Sequence, residues 1–286
     1  MEARVKSFRE ISRMLTVVEN DLSGTEDILL NLIPNKAVVI GITGPPGAGK
    51  STLVKSLISE LLKENARIAV LAVDPTSPYN FGSLLGDRIR MQTYSTDPNI
   101  YIRSIASRGS LGGLSGKIIE MTDVLKSSGF DYIILETVGV GQSEIEIASL
   151  ANITLLVLVP ESGDEIQSIK SGIMEIADCF VVNKADREGA DKFVENLRKM
   201  PQHKMSVFKT VATKSEGVED LITFIKNFQH SAKDKTYLLA QKAWKLIQEK
   251  RMSDIRSESL QKEIAEESEK TGFNLYKFVE SKIKNS

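Results

Sequence analysis

Short apolar runs rich in valine and isoleucine recur along the chain from residue 37 onward. Seven such runs are AVVIGIT, RIAVLAVD, NIYIRSI, DYIILET, ITLLVLVP, CFVVNKAD and SVFKTVA. Several of them are separated by stretches of helical character, such as Ser51–Glu64 and Ser110–Ser128. Near-continuous hydrophobic strands that alternate with helices are typical of a parallel sheet with helices on both faces. The pattern therefore predicts an α/β fold with a mainly parallel sheet.

The two ends of the chain show helical patterns instead. Near the N-terminus apolar residues recur at steps of three or four, which indicates one stripe along a helix, formed by Val5, Phe8, Ile11, Leu15, Val18 and Leu22. Ser23 and Glu26 have capping-box spacing, which predicts the start of a second short helix. After about His230 the strands cease and charged helical sequence follows. The predicted parts are an N-terminal helical extension, a central α/β domain and a C-terminal helical region, over residues 1–36, 37–230 and 231–286.

The C-terminal region carries a loose apolar periodicity of its own. Its members are Tyr237, Ala240, Trp244, Ile247, Ile255, Leu260 and Ile264. A sheet already covered on both faces leaves the apolar stripes of the terminal helices no evident place to be buried. This favours contact with another protein chain, and packing on the same domain is the alternative.

Composition argues against several classes of function. The 286 residues include 37 Lys and Arg against 38 Asp and Glu, so the basic excess typical of a nucleic-acid-binding domain is absent. The single cysteine, Cys179, cannot form an internal disulfide, and with two histidines it makes a poor metal site. No apolar run approaches the ~20 residues of a membrane helix, and the N-terminus lacks the apolar centre of a secretory signal. We expect a soluble, cytoplasmic protein.

The strongest chemical signal is the motif GPPGAGKST. It fits G-x-x-x-x-G-K-[ST], follows a predicted strand and opens a predicted helix. Glycines let backbone N–H groups turn towards phosphate oxygens, and the helix N-terminus adds its positive dipole end. Lys50 is expected to reach the β- and γ-phosphates, and the Ser51 hydroxyl to bind Mg²⁺. Motif and context favour nucleotide binding over an ordinary turn, with contacts from Gly44, Pro45, Pro46, Gly47, Ala48, Gly49, Lys50, Ser51 and Thr52.

A lone carboxylate, Glu136, ends the apolar run DYIILE. The carboxyl edge of a parallel sheet faces the bound nucleotide, so Glu136 is predicted to lie near the phosphates and the metal. Aspartate is the more familiar residue at this place. The longer side chain of glutamate favours contact with the metal through water, or a catalytic role, over direct binding of the metal. The alternative is a strand that simply ends in solvent. The N–H of Gly139, in the loop that follows, is expected to meet the γ-phosphate.

Two aspartates are further candidates for binding Mg²⁺ or its waters. Asp74 ends the second strand and Asp87 lies in GSLLGDRIRM. Each also has an ordinary structural interpretation. Asp74 can be a turn residue, because a proline follows it, and Asp87 can cap a helix.

The segment NKAD, Asn183 to Asp186, predicts which base is bound. Asp186 can accept hydrogen bonds from guanine N1–H and from the exocyclic amine, whereas adenine would leave this carboxylate without a donor. Such a buried unsatisfied group can give selectivity of about 10⁴–10⁵. Asn183 is expected to brace the loops, and the stem of Lys184 to lie along the base. GTP is therefore predicted in preference to ATP.

The segment TVATKSEG follows the last predicted strand. At this place such domains offer a backbone N–H to guanine O6. Ala212 is the preferred donor. An ordinary loop is the alternative.

Together the motifs resemble those of the MeaB/ArgK family of P-loop GTPases. They are GPPGAGKST, VLAVDPTSP, GSLLGDRIRM, SRGSLGGLS, ETVGVGQSE, ESGDEIQSIKSGIMEIAD and VVNKAD. The resemblance is close over residues 37–230 and looser in the helical flanks. It implies a P-loop domain that binds GTP or GDP with Mg²⁺, with the nucleotide at Gly44–Thr52, Asp186 and the turn of Val211, Ala212 and Thr213. It also implies metal-side carboxylates at Asp74, Asp87 and Glu136. It also implies a chaperone of an adenosylcobalamin-dependent acyl-CoA mutase, notably methylmalonyl-CoA mutase.

The same resemblance implies moving parts and an assembly. The switch segments would be Asp74–Asp87, Gly139–Glu144 and Glu161–Gly172. The last of these is a family-specific switch thought to signal to the mutase, with charged members Asp164, Glu165 and Lys170. A homodimer through C-terminal helical arms would use Tyr237–Ile264.

One departure bears on catalysis. Ras-like proteins place a water-positioning glutamine directly after the switch glycine, whereas this chain has Val140 there. Gln142 is a candidate substitute, with a structural loop role as the alternative. The predicted catalytic residues are Lys50, Glu136, Asp87 and Gln142. We expect slow intrinsic hydrolysis that a bound mutase accelerates.

Three functional interpretations remain open at this stage. The first is the GTPase chaperone. The second is a kinase of a transport protein or a small molecule, for which no acceptor site is evident. The third is a metal-inserting GTPase, which the scattered positions of Cys179, His203 and His230 disfavour. Arg108 is a candidate charge stabiliser, with a solvated arginine as the alternative.

Overall fold

The computed structural model describes most of the chain. The described residues are 5–33, 36–74, 94, 96–106, 117–137, 147, 150–163, 177–199, 205–228, 232–252, 257–269 and 273–284. By their contacts these residues divide into two units, within residues 1–238 and 239–286. The predicted boundary near residue 230 stays a prediction.

The seven predicted strands all form. They are β1 (Val38–Thr43), β2 (Ile68–Asp74), β3 (Ile100–Ala106), β4 (Tyr132–Glu136), β5 (Ile153–Leu158), β6 (Cys179–Asn183) and β7 (Ser206–Thr210). They make one sheet in the order β3-β2-β4-β1-β5-β6-β7, and every pairing in it is parallel. The α/β prediction is therefore confirmed. The central position of β1, between β4 and β5, brings the loop after β1 beside the tips of both neighbours.

The helices lie between and beyond the strands. They are α1 (Phe8–Glu19), α2 (Thr25–Leu30), α3 (Lys50–Leu62), α4 (Ile118–Lys126), α5 (Ala190–Arg198), α6 (Val218–Asn227), α7 (Ala232–Arg251), α8 (Ser257–Ser268) and α9 (Leu275–Lys284). Short 3₁₀ turns occupy Pro160–Gly163 and Ala212–Lys214.

Both faces of the sheet are covered, as predicted. On one face, α3 and α6 pack on inward residues of the central strands, which include Ile40, Ile134, Leu155 and Val181. On the other face, α5 packs on Leu156, Leu158, Phe180 and Val182. Successive residues of a strand point to opposite faces, so Leu155 and Leu156 belong to different cores. This two-sided burial explains why the central strands are unbroken apolar runs, whereas the edge strand β7 is partly exposed.

The N-terminal helix packs on the same domain. Ile11, Leu15 and Val18 are fully buried, and α1 lies against α4. The Arg67 guanidinium lies 4.5 Å from the centre of the Phe130 ring and donates to the carbonyl oxygens of Lys6 and Ser128. The apolar stripe of this helix is therefore buried within the same domain, which was the alternative to contact with another protein chain. Two predicted members of the stripe, Val5 and Leu22, are exposed.

The capping prediction for the second helix was wrong. Helix α2 begins after Gly24, which adopts a left-handed conformation with φ of 95° and makes no side-chain cap. A capping box does occur one helix earlier, where Ser7 and Glu10 bond each other's backbone N–H groups at the start of α1. Sequence spacing alone could not separate the two, because both pairs are three residues apart.

The helices of the second unit expose several large apolar residues. They include Leu239, Trp244, Ile247, Leu275 and Tyr276, and Trp244 is 69% exposed. Among the described residues, no helix combines the length and the apolar content that a bilayer crossing requires.

Candidate functional site

The loop between β1 and α3 has a backbone that only glycine tolerates at two positions. Gly44 has φ of 140°, and a Cβ atom there would lie 2.1 Å from the carbonyl oxygen of Val157. Gly49 has φ of 88°, and its Cβ would lie 2.4 Å from Nδ2 of Asn183. The loop is thus pressed against β5 and against the end of β6. Helix α3 begins immediately afterwards, at Lys50, so its N-terminus faces the loop.

Lys50 and Ser51 stand at this helix start. Lys50 is only 7% exposed, and its ammonium donates to the carbonyl oxygens of Gly44 (2.8 Å) and Pro45 (3.0 Å). The Ser51 hydroxyl donates to Oε1 of Glu136 at 2.5 Å. The ammonium is therefore held over the loop, and the hydroxyl is held beside a carboxylate.

Glu136 reaches this place because β4 runs parallel to β1, with Glu136 in register with Ile42. The carboxylate is 5% exposed, so the alternative of a strand that ends in solvent does not hold. A buried carboxylate next to a hydroxyl at a helix N-terminus is a set of oxygen donors suited to a hard cation.

The NKAD segment joins three parts of the site through one amide. Asn183 is 2% exposed, and its Nδ2 donates to the carbonyl oxygen of Ala48 at 2.9 Å. Its Oδ1 accepts from the Ala212 N–H (3.1 Å) and the Thr210 hydroxyl (3.2 Å). The glycine-rich loop, β6 and the turn after β7 are therefore braced together, as predicted for Asn183.

Lys184 extends the brace. It adopts a left-handed backbone with φ of 56°, and its ammonium donates to the Gly47 carbonyl oxygen at 2.8 Å. Asp186, two residues further, is exposed to solvent. Its carboxylate is accessible to a ligand.

A cleft of about 640 Å³ opens over the loop. It is lined by Pro46, Gly47, Gly49, Lys50, Ser51, Thr52, Lys55, Ala72, Val73, Glu136, Thr137 and Lys184. This volume is in the range of small-molecule sites. The walls thus unite most of the motif with Glu136 and Lys184, whereas Asp186, Val211, Ala212 and Thr213 are not among them.

Several predicted site residues fall outside the described part of the chain. They are Asp87, Gly139 and Gln142, together with Arg108, Asp164, Glu165 and Lys170. Asp74 ends β2, but its side chain is also outside the description. Their roles stay predictions. Of the segment Glu161–Gly172, Glu161 is described, and its carboxylate pairs with Arg187. The hydrogen bond from Arg187 lowers the pKa of the Glu161 carboxyl below its usual value.

Sequence reasoning missed two side chains of α3. Lys55 lines the cleft, and the Ser56 hydroxyl donates to the carbonyl oxygen of Ala212. Ser56 had a detectable signal, because it lies among the buried positions of the helix, where an apolar residue would be expected.

These features define a class of protein. A glycine-rich loop joins the central strand to a helix, a lysine and a serine open that helix, and a buried acid ends the neighbouring strand. With the braced NKAD segment this is a P-loop nucleotide-binding protein of the guanine type.

Comparison with known sequences identifies the family. The family model described as "Methylmalonyl Co-A mutase-associated GTPase MeaB" matches residues 11–269. The chain belongs to the MeaB family of P-loop GTPases, as the motifs predicted. It binds guanine nucleotide and hydrolyses GTP to GDP and phosphate.

Individual relatives agree with this assignment. A Pyrococcus horikoshii protein with a provisional GTPase name is 49% identical to this chain over 230 residues. The match covers 76% of this chain and 73% of that protein. The mouse protein "Methylmalonic aciduria type A homolog, mitochondrial" is 37% identical over 73% of this chain and 55% of its own length. GTPase ArgK of Escherichia coli is 44% identical over 51% of this chain and 44% of its own.

One solved structure resembles the chain over most of its length. It is titled "Crystal structure of LAO/AO transport system kinase" and superposes with a TM-score of 0.64 at 25% identity. The match covers 90% of this chain and 82% of that one.

Proposed function

We propose that the cleft holds the phosphates of GTP and that the NKAD segment and the turn after β7 hold the base. The contact between Ser51 and Glu136 carries this proposal, because it puts a hydroxyl and a buried carboxylate at the mouth of the phosphate loop. Lys50 is assigned to the β- and γ-phosphates, and Asp186 to the guanine N1–H and amine. Asp186 is exposed beside the braced Asn183 and Lys184, which supports that assignment.

Magnesium fits the residues present. Ser51 and Glu136 supply a hydroxyl and a carboxylate oxygen, the donor types that Mg²⁺ prefers. When bound, the ion neutralises phosphate charge that develops during transfer. Ser51 would hold the ion, while Glu136 orients the Ser51 hydroxyl and is available to a water. Asp74 and Asp87 are proposed as further contributors on the strength of the family resemblance alone.

The proposed biological role is to assist or protect an adenosylcobalamin-dependent acyl-CoA mutase, with methylmalonyl-CoA mutase as the first candidate. The description of the family and the name of the mouse relative support this partner. Nucleotide-dependent switch segments, ordered by the γ-phosphate and released on hydrolysis, would gate the loading of the cofactor. The segments assigned are Asp74–Asp87, Gly139–Glu144 and Glu161–Gly172.

A homodimer through the C-terminal helices belongs to the same proposal. The exposed apolar side chains of that unit, such as Trp244 and Ile247, support it, since burying them against a second copy would be favourable. A cytoplasmic location likewise remains a prediction from the sequence.

Single-turnover GTP hydrolysis, measured with and without purified methylmalonyl-CoA mutase, tests the proposal. We expect slow release of phosphate by the protein alone and a clear acceleration when the mutase is added. Lys50→Ala serves as the control that removes catalysis by this chain, and the mutase alone reports contaminating activity. A fast intrinsic rate that does not respond to the mutase would contradict the proposed coupling while leaving the GTPase assignment intact.

A kinase is the second candidate, because the structural neighbour is titled as one. Here labelled γ-phosphate would pass to a small molecule or to a transport protein instead of water. Incubation with labelled GTP and a cell extract, followed by separation of the products, distinguishes the two functions. Label that appears only as inorganic phosphate favours the GTPase role.

A further inference from the structure

A serine outside every nucleotide-binding motif contacts the turn after β7. Ser56 lies in α3 and is 5% exposed. Its hydroxyl donates to the carbonyl oxygen of Ala212, and it lies 3.2 Å from the carbonyl oxygen of Thr52 in its own helix. Ser56 and Ala212 are 156 residues apart in sequence. The hydroxyl therefore links the helix that begins at the phosphate loop to the turn assigned to the base.

Four backbone N–H groups of that turn are used in hydrogen bonds within the domain. The N–H groups of Val211, Ala212, Lys214 and Ser215 donate to Glu216, Asn183, Val211 and Ala212, respectively. Buried backbone donors are normally satisfied in this way. Of the three residues of this turn that are assigned to the base, Thr213 is the one whose N–H makes no hydrogen bond within the described part of the chain. The turn thus offers Thr213, and not the predicted Ala212, as its available donor.

The contact with Ser56 contributes to the direction of the Thr213 N–H, together with the weaker bond that the Ser215 N–H donates to the same Ala212 carbonyl at 3.4 Å. The Ala212 carbonyl and the Thr213 N–H belong to one peptide group, and in a trans peptide they point in opposite directions. The chain has no cis peptide bond in its described part. Since Ser56 holds the carbonyl towards α3, the N–H must point away from that helix. On its other side the same residue is fixed, because the Ala212 N–H is held by Asn183 at 3.1 Å.

We propose that Ser56 is a positioning residue for guanine recognition, because its hydrogen bond to the Ala212 carbonyl aims the Thr213 N–H at guanine O6. This inference rests on the proposed guanine site. It assigns a specificity role to a helix residue that touches no nucleotide itself.

Binding of three nucleotides to the wild type and to Ser56→Ala tests it. GDP and inosine diphosphate both carry O6, whereas the diphosphate of 2-aminopurine riboside lacks it. We expect Ser56→Ala to weaken GDP and inosine diphosphate equally, by about threefold to tenfold, as for the loss of one oriented hydrogen bond. Binding of the 2-aminopurine nucleotide, followed by its own fluorescence, should change by less than about twofold.

The comparison among ligands separates positioning from stability. A partly unfolded variant would weaken all three nucleotides by the same factor, so only the difference between them supports the inference. Ser59→Ala, which changes an exposed serine of the same helix, is the matched control and should leave all three affinities unchanged.

Two failures are distinguishable. If the wild type binds GDP no better than the 2-aminopurine nucleotide, the guanine site itself is refuted, and this inference with it. If the wild type prefers GDP but Ser56→Ala lowers all three affinities equally, or lowers none, Ser56 has no part in recognition and only this inference fails.

Discussion

Replacing Asn183 by alanine should destabilise the protein as well as its nucleotide site. The side chain is 2% exposed and makes three hydrogen bonds that join β6 to two loops. Its removal leaves the Ala48 carbonyl and the Ala212 N–H without this partner, and both residues are buried. The Thr210 hydroxyl also loses its acceptor.

The expected magnitude follows from these contacts. Each intramolecular hydrogen bond contributes about 0.5–1.5 kcal/mol net, and a buried group left unsatisfied costs about 1–3 kcal/mol. The Ala48 carbonyl and the Ala212 N–H, both left without a partner, therefore predict a loss of about 3 kcal/mol in the free energy of unfolding. Because both groups belong to loops of the nucleotide site, GDP affinity should fall as well.

Urea unfolding of the two proteins measures the loss. The midpoint should fall while the slope with denaturant stays the same, since the surface exposed on unfolding changes little. Asn227→Ala is the matched control. Within the described part of the chain this exposed amide bonds only the Thr223 carbonyl of its own helix, at 2.9 Å, so its loss should cost less than about 0.5 kcal/mol. A loss below about 1 kcal/mol for Asn183→Ala would refute the reasoning that Asn183 braces the site.

Three further changes test other parts of the molecule. Glu136→Gln should slow single-turnover GTP hydrolysis by about 10²-fold and change GDP affinity little; an unchanged rate would remove Glu136 from the catalytic site. Gly44→Ala should destabilise the fold by more than about 3 kcal/mol, because its Cβ would lie 2.1 Å from the Val157 carbonyl oxygen. Gly47→Ala is the control: its Cβ has open space around it, so the substitution should cost only about 1–2 kcal/mol of backbone strain. Equal losses of stability for the two variants in urea unfolding would contradict this reasoning. Burial raises the pKa of the Cys179 thiol in the folded protein, so as the pH rises the unfolded chain loses this proton before the folded one does. The thiol's contribution to the free energy of unfolding is therefore fully present below the unfolded pKa of about 8.5. At higher pH it is lost, by at most about 1.4 kcal/mol per pH unit. Cys179→Ala should lack this component in urea unfolding at pH 7.5 and 9.5, and an identical pH dependence in both proteins would refute it.

Sequence reasoning succeeded where the physical cause is local. The central strands β1, β4, β5 and β6 are buried on both faces and are therefore apolar throughout, so they could be located from their composition. The edge strand β7 is partly exposed, and it could be located although Lys209 interrupts its apolar run. The glycine-rich loop could be recognised because its glycines adopt a backbone that other residues avoid. Helix starts were harder: Ser23 and Glu26 have the required spacing, yet the structure uses Ser7 and Glu10.

The sequence by itself determined the elements, the phosphate loop and the class of base, because these depend on residue types at fixed short spacings. The tertiary structure alone decided which distant groups meet. The order of the strands sets β4 beside β1, so Glu136 contacts Ser51 across 85 residues of sequence. The same folding brings Asn183 to Ala48 across 135 residues. Periodicity shows which face of a strand is buried, but the crossover connections decide which strands are neighbours. Contacts between their tips therefore exist only once the sheet is assembled.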